Sequence, residues 1–112
     1  MIVLHGLQHK AIGVGDGVVV IKREKTLFAA ERRKVIPISQ ITAVKIKSPG
    51  AITNGYIQIQ LAGQTTADAS NTVTGGTMDA ANDENAVIFT AEYLPKAERV
   101  QAEINRQLAE QK

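Results

Sequence analysis

The chain has 112 residues, 13 Lys/Arg against 11 Asp/Glu and a net charge of +2, a size that suits a single domain spanning 1–112. Hydrophobic residues make up 44% and charged residues 21%, enough to build one core without staples. The absence of cysteine excludes disulfides, zinc-thiolate sites and thiol catalysis, and no apolar run approaches the ~18–20 residues of a membrane-spanning helix.

From the N-terminus, MIVLHGLQHK has no basic flank leading into a long apolar core, so it does not read as a signal peptide, and a cytoplasmic location is expected. His5 and His9, the two histidines, would share one face of a strand ~13 Å apart, too far for a common metal. GVGDG (13–17) has the glycines of a phosphate loop but lacks its Lys-Ser/Thr, and a strand follows it, so a hairpin turn is expected. VVVIK (18–22) is a β-branched run, and REKTLFAAERRK (23–34) joins it to the next strand candidate.

Lys22, Arg23, Lys25, Arg32, Arg33 and Lys34 crowd the two sides of that connection. A basic hairpin of this kind would meet phosphate or an anionic lipid surface. The alternative is a solvated hairpin whose charges resist edge pairing. Residues 1–50 hold nine cations against three acids, and residues 51–112 hold four against eight. This asymmetry signals either an anionic partner or two halves that neutralise each other in the fold. Phe28, Tyr56, Phe89 and Tyr93 are the only aromatics, a poor supply for base stacking, so nucleic acid is disfavoured. Ser39 has no histidine near it in sequence and makes a weak nucleophile candidate.

Further on, alternation is plain. In ITAVKIK (41–47) Val44 and Ile46 share a face opposite Lys45 and Lys47, and in GYIQIQL (55–61) Ile57, Ile59 and Leu61 oppose Tyr56, Gln58 and Gln60. Ser48-Pro49-Gly50 and Thr53-Asn54-Gly55 punctuate the stretch between. Because 55–61 carries no charge, Tyr56, Gln58 and Gln60 form a candidate self-association face if the strand is an edge or that face is uncovered; a homo-oligomer is then expected, with the charge split between the two halves favouring head-to-tail contact, and the alternative is a monomer whose 64–84 loop covers this face. Residues 64–84 read as a long loop with a short strand near 72–74. At its end Asp83, Glu84 and Asn85 lack the spacing of a calcium loop and read as the structural turn that feeds the strand NAVIF (85–89). The period then changes: Leu94, Ala97, Val100, Ile104 and Leu108 mark an amphipathic helix over about 92–110, with Pro95 in its first turn, Thr90 as its cap, and Glu92–Lys96 and Arg99–Glu103 as surface pairs.

VIPISQITAVKIKSPGAITNGYIQIQLAG and GGTMDAANDENAVIFT resemble a bacterial pleckstrin-homology-like domain family whose members have no assigned biochemical activity. Its most specific pieces here are Ile36-Pro37-Ile38-Ser39-Gln40-Ile41, Asn54-Gly55-Tyr56-Ile57 and Asp83-Glu84-Asn85-Ala86-Val87, and the likeness runs from Gly6 to the final helix. The resemblance implies a partly open barrel of about seven strands whose mouth is plugged by a C-terminal helix. Residues and resemblance together point to a mostly β barrel or sandwich with one helix. The expected function is a non-catalytic module with no metal and no cofactor, which binds a protein partner or its own copies, or else an anionic membrane or phosphate surface.

Overall fold

The computed structural model describes residues 1–27, 30–62 and 84–111. Among these, strands β1 (Ile2–His5), β2 (Lys10–Val14), β3 (Val18–Arg23) and β4 (Arg32–Pro37) form one antiparallel meander in the order β1-β2-β3-β4. After a single 3-10 turn at Ile38–Gln40, strands β5 (Ile41–Lys47), β6 (Gly55–Leu61) and β7 (Ala86–Phe89) form a second, in the order β5-β6-β7. A 3-10 turn at Ala91–Tyr93 then leads into the helix α1 (Leu94–Glu110). The expected loop 64–84 and its strand near 72–74 lie outside the described residues, Glu84 excepted.

The inward set of the first sheet is Leu4, Ile12, Val14, Val19, Ile21 and Ile36, and that of the second is Ile41, Val44, Ile57, Ile59, Val87 and Phe89. Ala97, Val100 and Ile104 of α1 complete this core, as their three-and-four spacing requires. The helix packs chiefly on β5 and β1, one edge strand from each sheet. The β1–β2 turn reaches β7, where Leu7 N–H donates to the Ile88 carbonyl at 2.8 Å. The result is an open sandwich of two sheets, not a closed barrel.

Two turns set the geometry of the first sheet. At GVGDG the hairpin turn is formed: Gly15 N–H donates to Val18 O at 2.9 Å, and Gly17 has φ +79° with open space where a Cβ would stand, so its requirement is conformational. The β1–β2 turn departs from expectation. Gln8 and His9 both have positive φ (62° and 56°), and Lys10 N–H closes the turn on Leu7 O at 3.2 Å. This is a two-residue turn of the left-handed kind usually given to Asn-Gly. His5 and His9 therefore do not share one strand face: His5 ends β1 and His9 sits in the turn.

The helix also differs at its start. No side-chain cap is made by Thr90, whose hydroxyl meets Glu92 at 3.2 Å, and the α-helical turns begin at Leu94 with Pro95 in the first of them. Glu103 is held by Arg106 (Nε–Oε1 2.9 Å), with Arg106 also meeting Glu110, so the salt bridges form here and not at Arg99–Glu103 or Glu92–Lys96.

Candidate functional site

The β3–β4 ladder brings the basic residues of 22–34 into register. Lys22 stands opposite Arg33, Arg23 opposite Arg32, and Ile21 opposite Lys34. Because β strands alternate, Val18, Val20, Lys22, Arg33, Val35 and Pro37 share the outer face of the sheet, while Arg23, Arg32 and Lys34 extend the inner rows beyond the core.

The six cations then divide. Lys22 pairs with Glu31 at 3.2 Å. Lys34, half-buried, donates to Glu84 Oε1 at 2.9 Å and Asn85 Oδ1 at 2.7 Å. Arg23, Lys25, Arg32 and Arg33 are all exposed and form no ion pair with any described residue. Like charges directly opposite each other repel, so the Arg23–Arg32 and Lys22–Arg33 pairs cost the free domain stability, and an anion placed between them relieves that cost. Beyond them Leu27 is 90% exposed.

Glu84 and Asn85 stand in the turn before β7. Asn85 is buried and its carbonyl accepts from Ile59 N–H at 2.9 Å, whereas the Glu84 side chain is exposed. Asp83 lies outside the described residues.

The expected self-association face is not a surface. β6 is the central strand of its sheet, paired with β5 on one side and β7 on the other. Tyr56 is fully buried and Gln58 nearly so, Gln60 is half-buried, and Tyr56 forms a second apolar cluster with Ala86 and Ile88. Alternation assigns Tyr56, Gln58 and Gln60 correctly to the face away from the core, but that second face is also covered.

A cleft of about 380 Å³ lies beside the hairpin, lined by residues 5–11 and Glu24. Glu24 N–H donates to His9 O at 2.9 Å, tying the start of the β3–β4 connection to the β1–β2 turn. Of the residues lining the cleft, Lys10 donates its ammonium to Ala86 O at 2.7 Å. Among the described residues no group of three or more His, Cys, Asp or Glu is placed to hold a metal ion. Ser39 is exposed in the 3-10 turn after β4.

Two residues that sequence reasoning passes over prove structural. Gln107, buried on α1, accepts from Gly17 N–H at 2.8 Å and donates to Gly15 O at 2.7 Å, so one amide side chain spans the β2–β3 turn. Val35 is 53% exposed on β4. The signal for an edge there was Pro37, since a strand that ends in proline belongs at a sheet edge. On α1, the hydrogen bond from Arg106, then that from Gln107, lower the Glu103 carboxyl from 4.5 to about 2, and Glu103 in turn raises the Arg106 guanidinium above its ordinary value.

These features define a mostly β domain of two antiparallel meanders and one C-terminal helix, with an exposed basic hairpin at one end of the first sheet. The chain belongs to the family described as domain of unknown function DUF4429, whose model matches residues 15–105, from the β2–β3 turn into the last part of α1. No curated protein and no solved structure matches it. Among the described residues no helix is long and apolar enough to cross a membrane.

Proposed function

We propose that this chain is a non-catalytic, pleckstrin-homology-like interaction module, acting in the cytoplasm, that docks an anionic partner on its β3–β4 hairpin. The pleckstrin-homology-like reading is supported by the order of the elements: a four-stranded meander, a three-stranded meander, and a helix packed on one edge strand of each. The observation that carries the docking surface is the set of exposed cations, Arg23, Lys25, Arg32 and Arg33, that have no acidic partner among the described residues and are gathered on one hairpin. Unneutralised cations on a low-dielectric scaffold raise the local concentration of anionic ligands and speed their arrival.

The partner in this reading is a protein with an acidic surface. An anionic lipid surface is the second reading, and Leu27 is what favours it, because an apolar side chain exposed beyond flanking cations suits a bilayer interface. Self-association through Tyr56 and Gln58 is set aside, since neither side chain reaches the surface.

The test compares the parent with an Arg32→Glu/Arg33→Glu variant in two assays. One measures binding of a fluorescent acidic peptide; the other measures sedimentation with vesicles of phosphatidylcholine containing phosphatidylserine. Binding in one assay is expected, weakening as salt rises and falling at least ~10-fold in the variant at equal melting temperature. A parent that binds neither probe at low salt overturns the proposal.

A further inference from the structure

The two sheets present four edge strands, β1, β4, β5 and β7. The helix packs on β1 and β5. Two carbonyls of β7 are taken from the β1–β2 side, Ile88 O by Leu7 N–H and Ala86 O by the Lys10 ammonium. Among the described residues β4 pairs with β3 alone.

The side of β4 turned away from β3, which pairs with no other described strand, can be assigned atom by atom. Ile38 N–H donates to Gly17 O at 3.0 Å, which fixes the phase of the β3–β4 ladder. Counting back from that pair, Ile36, Lys34 and Arg32 bond to Val19, Ile21 and Arg23. The main-chain groups of Arg33, Val35 and Pro37 therefore point away from the sheet. Pro37 has no N–H, so the edge offers the N–H and C=O of Arg33 and Val35 and the C=O of Pro37.

We infer that this edge accepts an extended acidic segment of a partner protein as an added strand. The inference rests on the anionic docking proposed above and specifies its mode. Main-chain hydrogen bonds give such an addition its affinity, and alternate side chains give it specificity. The side chains beside the edge are of two kinds. Toward Pro37, the outer face is apolar, with exposed Val35 beside Val20, and Val18 opposite Pro37. Toward Arg32, it is cationic on both faces, with Arg33 outward and Arg32 beside Arg23 inward. The strand that fits carries an apolar, β-branched residue against Val35 and acidic residues against Arg33 and Arg32. The same arginines that guard an edge against unselective pairing select an acidic strand. A second copy pairing through its own β4 edge brings the same cations there, so it is the poorer occupant.

The experiment uses the full chain and a capped peptide of about six residues, two glutamates followed by alternating threonine and valine. Amide hydrogen exchange is read by NMR and affinity by fluorescence anisotropy. Binding is expected to slow exchange at Arg33 and Val35, and methylating alternate peptide amides is expected to weaken binding by ~10-fold or more, the effect of losing two main-chain bonds of ~1 kcal/mol each. A Val35→Pro variant, which removes an outward N–H, should lose the peptide likewise; the methylated peptide makes the same test on the unaltered protein.

Peptide binding that is lost in Arg33→Glu but leaves the Arg33 and Val35 amides unprotected overturns the strand addition while the anionic docking stands. Binding to phosphatidylserine vesicles with no response to the peptide does the same. Light scattering that shows the protein alone dimerising through β4 also overturns it. Failure of both peptide and vesicles removes the docking proposal and this inference together.

Discussion

Replacing Gln107 with leucine should destabilise the domain more than its position near the end of a surface helix suggests. The side chain accepts from Gly17 N–H at 2.8 Å and donates to Gly15 O at 2.7 Å while only 7% exposed. Leucine fills nearly the same volume, so the packing term is small and the lost hydrogen bonds decide the outcome. Two main-chain groups are left without partners in a largely dry contact, at ~1–2 kcal/mol each toward the lower end for partly buried groups, or ~2–4 kcal/mol in total. Against a typical domain stability of ~5–15 kcal/mol this is a large fraction. It corresponds to a fall in Tm of roughly 10–15 °C for a chain of this size. Urea unfolding followed by circular dichroism measures it, with an unchanged slope showing that the unfolded state is not altered. Gln107→Glu adds a second check, because its carboxylate faces the Gly15 carbonyl and Glu103. A carboxylate cannot donate to Gly15 O and stands beside the Glu103 carboxylate, so Gln107→Glu should be less stable than its parent at pH 7. If Gln107→Leu unfolds within ~0.5 kcal/mol of the parent, the span across the β2–β3 turn contributes nothing and the reasoning fails.

Three further outcomes follow from the geometry. Gly6→Ala should cost ~2–3 kcal/mol in urea unfolding, because its Cβ would overlap both the Ile88 carbonyl and Val87 Cγ1; a neutral result would mean that the β1–β2 turn lifts off β7 freely. The Gln8→Asn/His9→Gly pair should raise stability by ~1 kcal/mol, since both positions hold positive φ, and a lower Tm would show that the turn is not strained there. Glu103, lowered in the folded state from 4.5 to about 2, supplies stability that is present above its unfolded value and lost as pH falls through that interval, so the Tm gap between parent and Glu103→Gln should close between pH 4.5 and about 2.

Alternation made most of the second sheet legible. ITAVKIK and GYIQIQL became β5 and β6 over the same residues, and the inward and outward sets divide as their period requires in β6 and from Val44 onward in β5, where a register shift between Ile41 and Ala43 puts both Ile41 and Val44 inward. The helix was legible for a similar reason, Ala97, Val100 and Ile104 all being fully buried. What a period of two does not carry is strand order. It separates Tyr56 and Gln58 from Ile57 and Ile59, but an exposed polar face and a covered one have the same period, and only the pairing of β6 with both β5 and β7 decides. The β1–β2 turn was hidden because Gln8 and His9 are not the residues whose backbone prefers positive φ. Gln107 was hidden because a polar residue on a helix reads as solvent-facing, and its partners lie about ninety positions away in sequence. The basic hairpin was the most legible part of the candidate site, since hairpin neighbours are close in sequence and their cations must converge.

The division of charge along the chain bears on that hairpin. If the basic first half and acidic second half simply neutralised each other, ion pairs should cross between them. Among the described residues one does, Lys34 with Glu84. Lys22 is satisfied by Glu31 from its own half, and Glu103 and Glu110 of α1 go to Arg106 on the same helix. Arg106 thus takes two carboxylates while Arg23, Arg32 and Arg33 have none among the described residues, although a fold selected for surface neutrality alone would place acids beside opposed arginines. Repulsion across Arg23–Arg32 is tolerable in water, where two charges at ~5 Å interact by less than ~1 kcal/mol, so the hairpin holds its shape unliganded. An incoming carboxylate that excludes this water strengthens its own attraction to both guanidiniums, and Arg–carboxylate pairs gain further from two parallel hydrogen bonds. An arrangement weakly unfavourable when empty and favourable when filled by an anion is the energetic form that the proposed docking requires.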